Sequence, residues 1–141
     1  EKRLDLGLRL IQSDDQALVQ EIISLIEKPE LAWLWASDAL TEVDITANLA
    51  GIGRIHGAID RLIITDQKIT AIDYKSNKLV PNTPAQTPLG LQRQLAAYHQ
   101  ALRAIYPDHV IEAAILWTHT GSLMLLPDDL LHDALIDLAT P

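Results

Sequence analysis

The sequence predicts an α/β (α+β) fold in which helices flank a mixed central β-sheet. Segments with helical periodicity lie near both ends of the chain and once in its middle. Three strand-like segments precede the middle helix, and two more follow it. The chain has 141 residues, of which 48% are hydrophobic, so one domain with its own core is expected.

The N-terminal part is predicted to be helical. Two acidic residues, Asp14 and Asp15, suit the N-cap of a helix that runs to about Glu27, and Pro29 ends it. Its apolar stripe consists of Leu18, Ile22, Leu25 and Ile26. A second, short helix over residues 30–37 carries Trp33 and Trp35, which we expect to pack in the core.

A strand meander follows. The first strand, Glu42 to Leu49, alternates apolar and polar residues, which is typical of a half-buried strand. The second and third strands, residues 54–65 and 69–75, are joined by a turn at Asp66-Gln67. Residues 77–89 contain three prolines and no periodicity, so they are predicted to form a loop.

The C-terminal part alternates again between helix and strand. An amphipathic helix is predicted over residues 90–105, with one apolar side formed by Leu91, Leu95, Tyr98, Leu102 and Ile105. Strands over residues 110–118 and 122–126 follow, and Pro127 begins a last helix that ends near residue 138. We find no repeat or second domain.

The charge of the chain is unevenly distributed. The net charge of −8 argues against a nucleic-acid partner when it is taken as a whole. Residues 54–103, however, hold 7 Lys or Arg against 3 Asp, which gives +4. This basic segment is compatible either with a nucleic-acid contact or with ordinary surface charge.

Composition excludes several classes of site. The chain contains no cysteine, so it has no disulfide, thiolate zinc site or cysteine-ligated iron–sulfur cluster. It contains no apolar run of the roughly 20 residues that cross a bilayer. A GxxxxGK[ST] phosphate loop is also absent, which excludes an ATP-driven motor within this segment. A cytoplasmic protein without a membrane partner is expected.

The turn between the second and third strands brings two acidic residues together. Asp60 lies six residues before Asp66, and Asp73 lies six residues after Gln67, so an ungapped hairpin places the two carboxylates opposite each other. Facing carboxylates repel and destabilise a sheet unless a cation offsets the repulsion. Lys75, two residues beyond Asp73, should project from the same face.

These residues predict a divalent metal site with hydrolytic chemistry. Mg²⁺ or Mn²⁺ prefers oxygen ligands, which Asp60, Asp73 and the backbone carbonyl of Tyr74 would supply. Lys75 would orient the attacking water and stabilise charge on a phosphoryl oxygen. Glu42, on a neighbouring strand, would hold a second metal, a water or Lys75. The alternative is a purely structural salt bridge of Lys75 with the two aspartates.

The middle helix contributes further candidates. Gln94 and Tyr98 are four residues apart and therefore point from the same side of the helix. Their amide and hydroxyl groups could bind phosphate oxygens or a catalytic side chain, although core packing is the simpler interpretation of Tyr98. Arg93 is a candidate phosphate contact, with a solvated arginine as the alternative.

Together these motifs resemble a known family. The segments GxIDRL (57–62), IDYKSN (72–77) and QxxxY (94–98), in this order, are similar to the RecB-family branch of the PD-(D/E)xK nucleases. The nearest resemblance is to the C-terminal nuclease domain of AddA-type subunits of bacterial AddAB helicase–nucleases. It extends from about Leu18 to the C-terminus and includes the strand at Leu116-Trp117-Thr118.

The resemblance implies a restriction-endonuclease-like fold and Mg²⁺- or Mn²⁺-dependent hydrolysis of DNA, as an exonuclease, during double-strand-break repair. Asp60 and Asp73 would be metal ligands, Lys75 the catalytic lysine, and Gln94 and Tyr98 an accessory motif. Glu42 matches an acidic residue that often opens the sheet of this family. The implied partners are DNA, an AddB-like subunit and the helicase portion of the parent chain.

One departure concerns a histidine. RecB-family nucleases usually carry a metal-ligating histidine on a helix upstream of the first strand, and no histidine precedes Glu42 here. We therefore expect residues 1–141 to be a single nuclease domain from a larger subunit, without the upstream helix and with doubtful activity in isolation. The alternative function is a non-catalytic DNA-guiding or subunit-docking domain that retains the nuclease fold.

Overall fold

The computed structural model describes residues 16–36 and 38–139, without the side chains of residues 17, 18 and 137–139. The predicted caps Asp14 and Asp15 and the side chain of Leu18 lie outside the described residues. In chain order the elements are helix α1 (Gln16–Glu27), a 3-10 helix (Pro29–Trp35), strands β1 (Leu40–Leu49), β2 (Gly53–Ile64) and β3 (Lys68–Lys75), a 3-10 turn (Pro84–Gln86), helix α2 (Leu89–Ile105), strands β4 (Val110–Trp117) and β5 (Ser122–Leu126), and helix α3 (Asp128–Ala139).

The five strands form one mixed sheet in the order β1-β2-β3-β4-β5. β3 and β4 run parallel, whereas the other neighbours are antiparallel. Parallel neighbours need a long crossover, which the loop after β3 and helix α2 provide. The mixed sheet with flanking helices confirms the predicted fold class. The C-terminal ends of β3 and β4, at Lys75 and Trp117, lie side by side. We call this place the carboxyl edge of the sheet.

The sheet separates two apolar layers. Helices α2 and α3 contribute to the larger layer, whose buried members include Ile59, Leu62, Leu95, Ile115, Trp117 and Leu131. Helix α1 and the 3-10 helix contribute to the smaller layer, with Ile22, Leu25, Leu34, Trp35, Ile72 and Leu116. No helix in residues 16–36 and 38–139 combines the length and the apolar character that a membrane span requires.

The segment after α1 differs from its prediction. It is a 3-10 helix, and only Trp35 of its two tryptophans is in the core, because Trp33 is 43% exposed. Three residues per turn align Leu31 with Leu34 on the buried side and turn Trp33 away from it. The expectation that both tryptophans pack in the core is therefore wrong for Trp33.

Helix α2 covers the sheet almost as predicted. Its buried apolar residues include Leu91, Leu95, Tyr98 and Leu102. Ile105 is 52% exposed, so its assignment to the apolar side is wrong. Ile105 is the last residue of the helix, where the chain turns away towards β4.

A glycine lets α2 approach the sheet closely. A Cβ atom built on Gly57 of β2 would overlap the Tyr98 ring, with Cε1 only 2.9 Å away. The aromatic ring therefore packs directly against the backbone of β2. Such contact is available only where the strand lacks a side chain.

We predict that Gly57→Ala destabilises the protein by about 1–3 kcal/mol, because the added methyl group overpacks against Tyr98. The free energy of unfolding, from urea titration, measures this effect. Gly90→Ala in α2 is the matched control, since a Cβ atom there meets nothing within 4 Å. That change should stabilise by up to about 1 kcal/mol. Equal stabilities of the two variants would contradict the packing argument.

Candidate functional site

The β2–β3 hairpin brings Asp60 and Asp73 together. Its ladder has the predicted register and ends with Arg61 opposite Ile72, one step before the two aspartates. Beyond that pair, the Asp60 carboxylate accepts a hydrogen bond from the backbone N–H of Tyr74, with 2.8 Å between Oδ2 and N. The side chain of Asp60 therefore reaches β3 directly after Asp73.

The Asp73 carboxylate is buried, and Lys75 neutralises its charge only in part. Its side chain is 8% exposed, and the Lys75 ammonium lies 3.0 Å from Oδ2. That oxygen is buried and has no other hydrogen-bond donor among the described residues. The predicted common face of Asp73 and Lys75 is confirmed by this ion pair.

The environment favours the protonated form of Asp73. Burial raises its pKa from 3.8 to about 6, and the nearby Asp60 charge adds to this, although the hydrogen bond and charge of Lys75 act in the opposite direction. Desolvation therefore outweighs the single lysine. A further positive charge near the two carboxylates would stabilise their ionised forms.

The arrangement fits a magnesium-type ion. Within the described part of the chain, no group of three or more His, Asp or Glu side chains is placed to hold a metal. Mg²⁺, however, is commonly bound through one or two carboxylates together with waters and substrate phosphates. The Asp60–Asp73 pair and the buried Oδ2 of Asp73 meet that requirement. Coordination by these residues and by the Tyr74 carbonyl stays a prediction.

Glu42 lies across β1–β2 from Asp60. The register places Thr41 opposite Arg61 and Val43 opposite Ile59, so Glu42 and Asp60 occupy the intervening step. Glu42 is exposed and has a φ of 51°, a left-handed conformation that is uncommon for a residue with a side chain. Such strained backbone is frequent at functional sites. The catalytic role of Glu42 stays a prediction.

The side-chain alternation of β2 reverses at the same place. Ile59 and Leu62 are three residues apart, yet both belong to the larger apolar layer. Regular alternation would place them on opposite faces of the sheet. The reversal lies at Asp60 and Arg61, which identifies this step as a local irregularity of the strand.

Arg61 connects this irregularity to the smaller layer. It is 1% exposed, its Nε donates to the backbone carbonyl of Leu34, and its guanidinium lies 5.1 Å from the ring centre of Trp35. From the sequence, Arg61 is one charge of the basic segment and one residue of the GxIDRL motif, and its burial was not predicted. Its position between apolar residues at 59 and 62–64 was the signal that it would be buried.

The accessory residues of α2 contact each other. The Gln94 amide donates to the Tyr98 hydroxyl at 3.1 Å, which confirms that both point from the same side of the helix. Tyr98 is also a core residue, so the alternative prediction that this tyrosine packs in the core is confirmed as well. Arg93 is half-buried, and its Nε has no hydrogen-bond partner among the described residues. Contact of any of the three with a substrate stays a prediction.

Thr118 fixes the carboxyl edge, a role that the sequence did not predict. Its backbone N–H and its hydroxyl both donate to the carbonyl of Lys75, at 2.9 Å and 3.3 Å. Because Lys75 is the last residue of β3, these bonds hold the strand end that carries the lysine. A polar residue at the end of the apolar run over residues 110–118 was the sequence signal for such an anchor.

Comparison with known proteins identifies a matching protein family. The family model of the PD-(D/E)XK nuclease superfamily matches residues 7–124. The matched span includes β1 to β4 and α2, and with them every candidate site residue named above. A comparison with curated proteins gave no match.

We predict that Asp73→Asn stabilises the metal-free protein at neutral pH. Between about pH 4 and 6 the folded protein binds more protons at Asp73 than the unfolded chain does, so the contribution of Asp73 to the free energy of unfolding falls as pH rises through this window. A shift of about two pKa units corresponds to roughly 3 kcal/mol. In EDTA, the variant should gain about 1–3 kcal/mol at pH 7.5 and almost nothing at pH 4.

Urea unfolding of both proteins at several pH values measures this difference. The wild type is the necessary reference, because burial lowers the pKa of His99, whose protonation destabilises the fold over part of the same range. That contribution is common to both proteins and cancels. A stability difference that does not change with pH would contradict the assignment to Asp73.

Proposed function

The chain belongs to the PD-(D/E)XK nuclease superfamily, and we propose that it is a Mg²⁺- or Mn²⁺-dependent deoxyribonuclease domain. The substrate would be a phosphodiester bond of DNA. The observation that carries this proposal is the cluster of Asp60, Asp73 and Lys75, with a buried carboxylate that one lysine neutralises incompletely. Such a cluster suits a divalent cation and a phosphate better than it suits a metal-free salt bridge.

The proposed roles follow from the contacts. Asp60 and Asp73, with the Tyr74 carbonyl, would hold the ion, and Asp60 is oriented by the backbone N–H of Tyr74. When bound, a divalent ion supplies Lewis-acid chemistry and lowers the pKa of a coordinated water. Lys75 would donate to the attacking water or to a non-bridging oxygen of the phosphate, where charge develops in the transition state.

The remaining candidates would support substrate binding. Gln94 and Tyr98 form a hydrogen-bonded pair that would position a phosphate or a catalytic side chain. Arg93 would contact the DNA backbone. Glu42, across the strand pair from Asp60, would hold a water or a second ion.

The order of motifs further supports a specific biological context. We infer that the chain is the exonuclease domain of an AddA-like subunit in the RecB-family branch, within a larger helicase–nuclease that processes double-strand breaks. An AddB-like subunit and the helicase portion of the parent chain would be its partners. The competing proposal is a DNA-guiding or docking domain without catalysis, which the following experiments distinguish.

We predict that Asp73→Ala and Lys75→Ala each reduce DNA cleavage by roughly 10²-fold or more, because each removes charge at the reacting centre. The assay uses end-labelled single- and double-stranded DNA with Mg²⁺ or Mn²⁺, in the longest natural protein that contains this chain. Lys68→Ala is the matched control, since Lys68 begins the same strand and pairs with Glu112 at 3.3 Å. Circular dichroism verifies folding.

Two outcomes would overturn parts of this assignment. Cleavage that persists in either Asp73→Ala or Lys75→Ala would exclude these residues as catalytic groups. DNA binding by a wild-type protein that never cleaves, with any divalent ion, would favour the guiding or docking domain.

We also predict that Gln94→Ala and Tyr98→Phe act through one shared interaction. Each removes the hydrogen bond between the amide and the hydroxyl, which contributes about 0.5–1.5 kcal/mol in typical cases. The double variant should therefore lower cleavage no further than the more severe single variant. Strictly additive losses in kcat/KM would show that the two residues act independently.

A further inference from the structure

Arg61 is a buried cation to which none of the roles proposed above gives a function. Only 1% of it is exposed, and its Nη1 and Nη2 atoms have no hydrogen-bond partner among the described residues. No carboxylate in that part of the chain lies within ion-pair distance of Arg61 either. A buried charge without a partner is costly, and an apolar residue of similar size would avoid that cost. Stability alone therefore does not account for an arginine here.

Two contacts fix the guanidinium on the side of the sheet that carries helix α1 and the 3-10 helix. Its Nε donates to the backbone carbonyl of Leu34, and the group lies 5.1 Å from the ring centre of Trp35. Both residues belong to the smaller apolar layer, as does Ile72, which pairs with Arg61 on β3. The side chain of Arg61 is therefore directed into the smaller layer.

The residues of β3 place the proposed metal site on the opposite face. Ala71 belongs to the larger apolar layer, and Asp73 follows it by two residues, so both project from the face that helix α2 covers. Asp60 precedes Arg61 on β2, and alternation counted from Arg61 directs Asp60 to this same face. The Asp60 carboxylate does lie beside Asp73, because it accepts the hydrogen bond from the next backbone N–H, that of Tyr74.

The preceding part of β2 would direct Asp60 the other way. Ile59 belongs to the larger layer, so regular alternation counted from Ile59 would turn Asp60 into the smaller layer, away from Asp73. Alternation therefore changes at Asp60. The facing residue on β1, Glu42, has a φ of 51°, so both strands are irregular at the same step. The position of the Asp60 carboxylate depends on this irregular step.

We infer that Arg61 is a positioning residue that directs the Asp60 carboxylate to the proposed metal site. Its contacts with Leu34 and Trp35 hold β2 on the C-terminal side of the irregular step, so that Asp60 cannot follow the alternation of Ile59. The inference rests on the proposed metal-dependent nuclease function, since that function makes Asp60 a ligand. Arg61 itself contacts neither the ion nor the substrate.

The first test uses the metal-free protein in EDTA. Hydrogen–deuterium exchange with electron-transfer fragmentation follows the Tyr74 amide, which is bonded to Asp60. Arg61→Met should accelerate this exchange by roughly tenfold, as expected for loss of a hydrogen bond to a charged group. The amides of β4 should keep their rates, whereas a general loss of stability would accelerate them as well. Arg54→Met, at an exposed position of the same strand, is the matched control.

A double-variant comparison tests whether Arg61 acts through Asp60. In Asp60→Ala the carboxylate is absent, so adding Arg61→Met should accelerate Tyr74 exchange no further. A further tenfold acceleration in the double variant would show that Arg61 affects β3 by another route, and would overturn the positioning role.

The second test measures the affinity for Mn²⁺ by calorimetry. Residues that orient metal ligands commonly change metal affinity by about 10–100-fold, and Arg61→Met should weaken binding by an amount in this range. If Arg61 acted only as a nearby positive charge, its removal would strengthen the binding of a cation. Arg54→Met should leave the affinity unchanged. Unchanged or tighter binding by folded Arg61→Met would overturn the inference.

Two milder variants keep the test decisive if Arg61→Met does not fold. Arg61→Lys retains a cation that can donate to the Leu34 carbonyl, and Trp35→Leu removes only the ring beside the guanidinium. Both should change Tyr74 exchange and Mn²⁺ affinity in the same direction as Arg61→Met, but by less. Wild-type values for both variants would contradict the inference.

The outcomes separate this inference from the nuclease proposal. Mn²⁺ binding that Asp60→Ala loses but folded Arg61→Met keeps would reject the positioning role and leave the ligand role of Asp60 in place. A wild type that binds no Mn²⁺, together with accelerated Tyr74 exchange in Arg61→Met, would reject the metal-dependent function while Arg61 still orients Asp60.

Discussion

The burial of the Asp73 carboxylate beside Asp60 is the interaction on which the rest of the site depends. A buried carboxylate is costly unless it is paired, and a second carboxylate nearby increases the cost. The Lys75 ammonium offsets only part of it, since the pKa of Asp73 remains raised to about 6. The fold thus holds a destabilising arrangement in place. Retention of such an arrangement is understandable where a cation and a phosphate complete it.

The surrounding structure holds these groups from both sides of the sheet. On one side, the close packing of Tyr98 on Gly57 fixes α2 against β2, three residues before Asp60. On the other side, buried Arg61 connects β2 to the 3-10 helix through Leu34 and Trp35. The strand between these contacts has little freedom to relax. Packing on both sides therefore holds the strand segment that carries Asp60, in addition to the hydrogen bond from Tyr74, and such preorganisation would suit the proposed electrostatic catalysis.

The sequence predicted those features that depend on local periodicity and on register. The five strands, the hairpin register and the common side of Gln94 and Tyr98 followed from spacing alone. The exposure of Trp33 could not be predicted from spacing. A 3-10 helix and an α-helix differ in which residues share a side, and a short apolar segment is compatible with both. The burial of Arg61 depends on contacts between residues distant in the chain, which periodicity does not encode.

Calorimetric titration of a divalent ion into the protein measures whether Asp60 and Asp73 bind that ion. Wild type, Asp60→Asn and Asp73→Asn are titrated with Mn²⁺ and Mg²⁺ at pH 7.5, with Lys68→Met as the control. We expect a binding heat for the wild type and the control, and a lost or greatly weakened heat for each aspartate variant. A binding heat that is unchanged in both aspartate variants, or absent from the wild type, would contradict a metal site at Asp60 and Asp73.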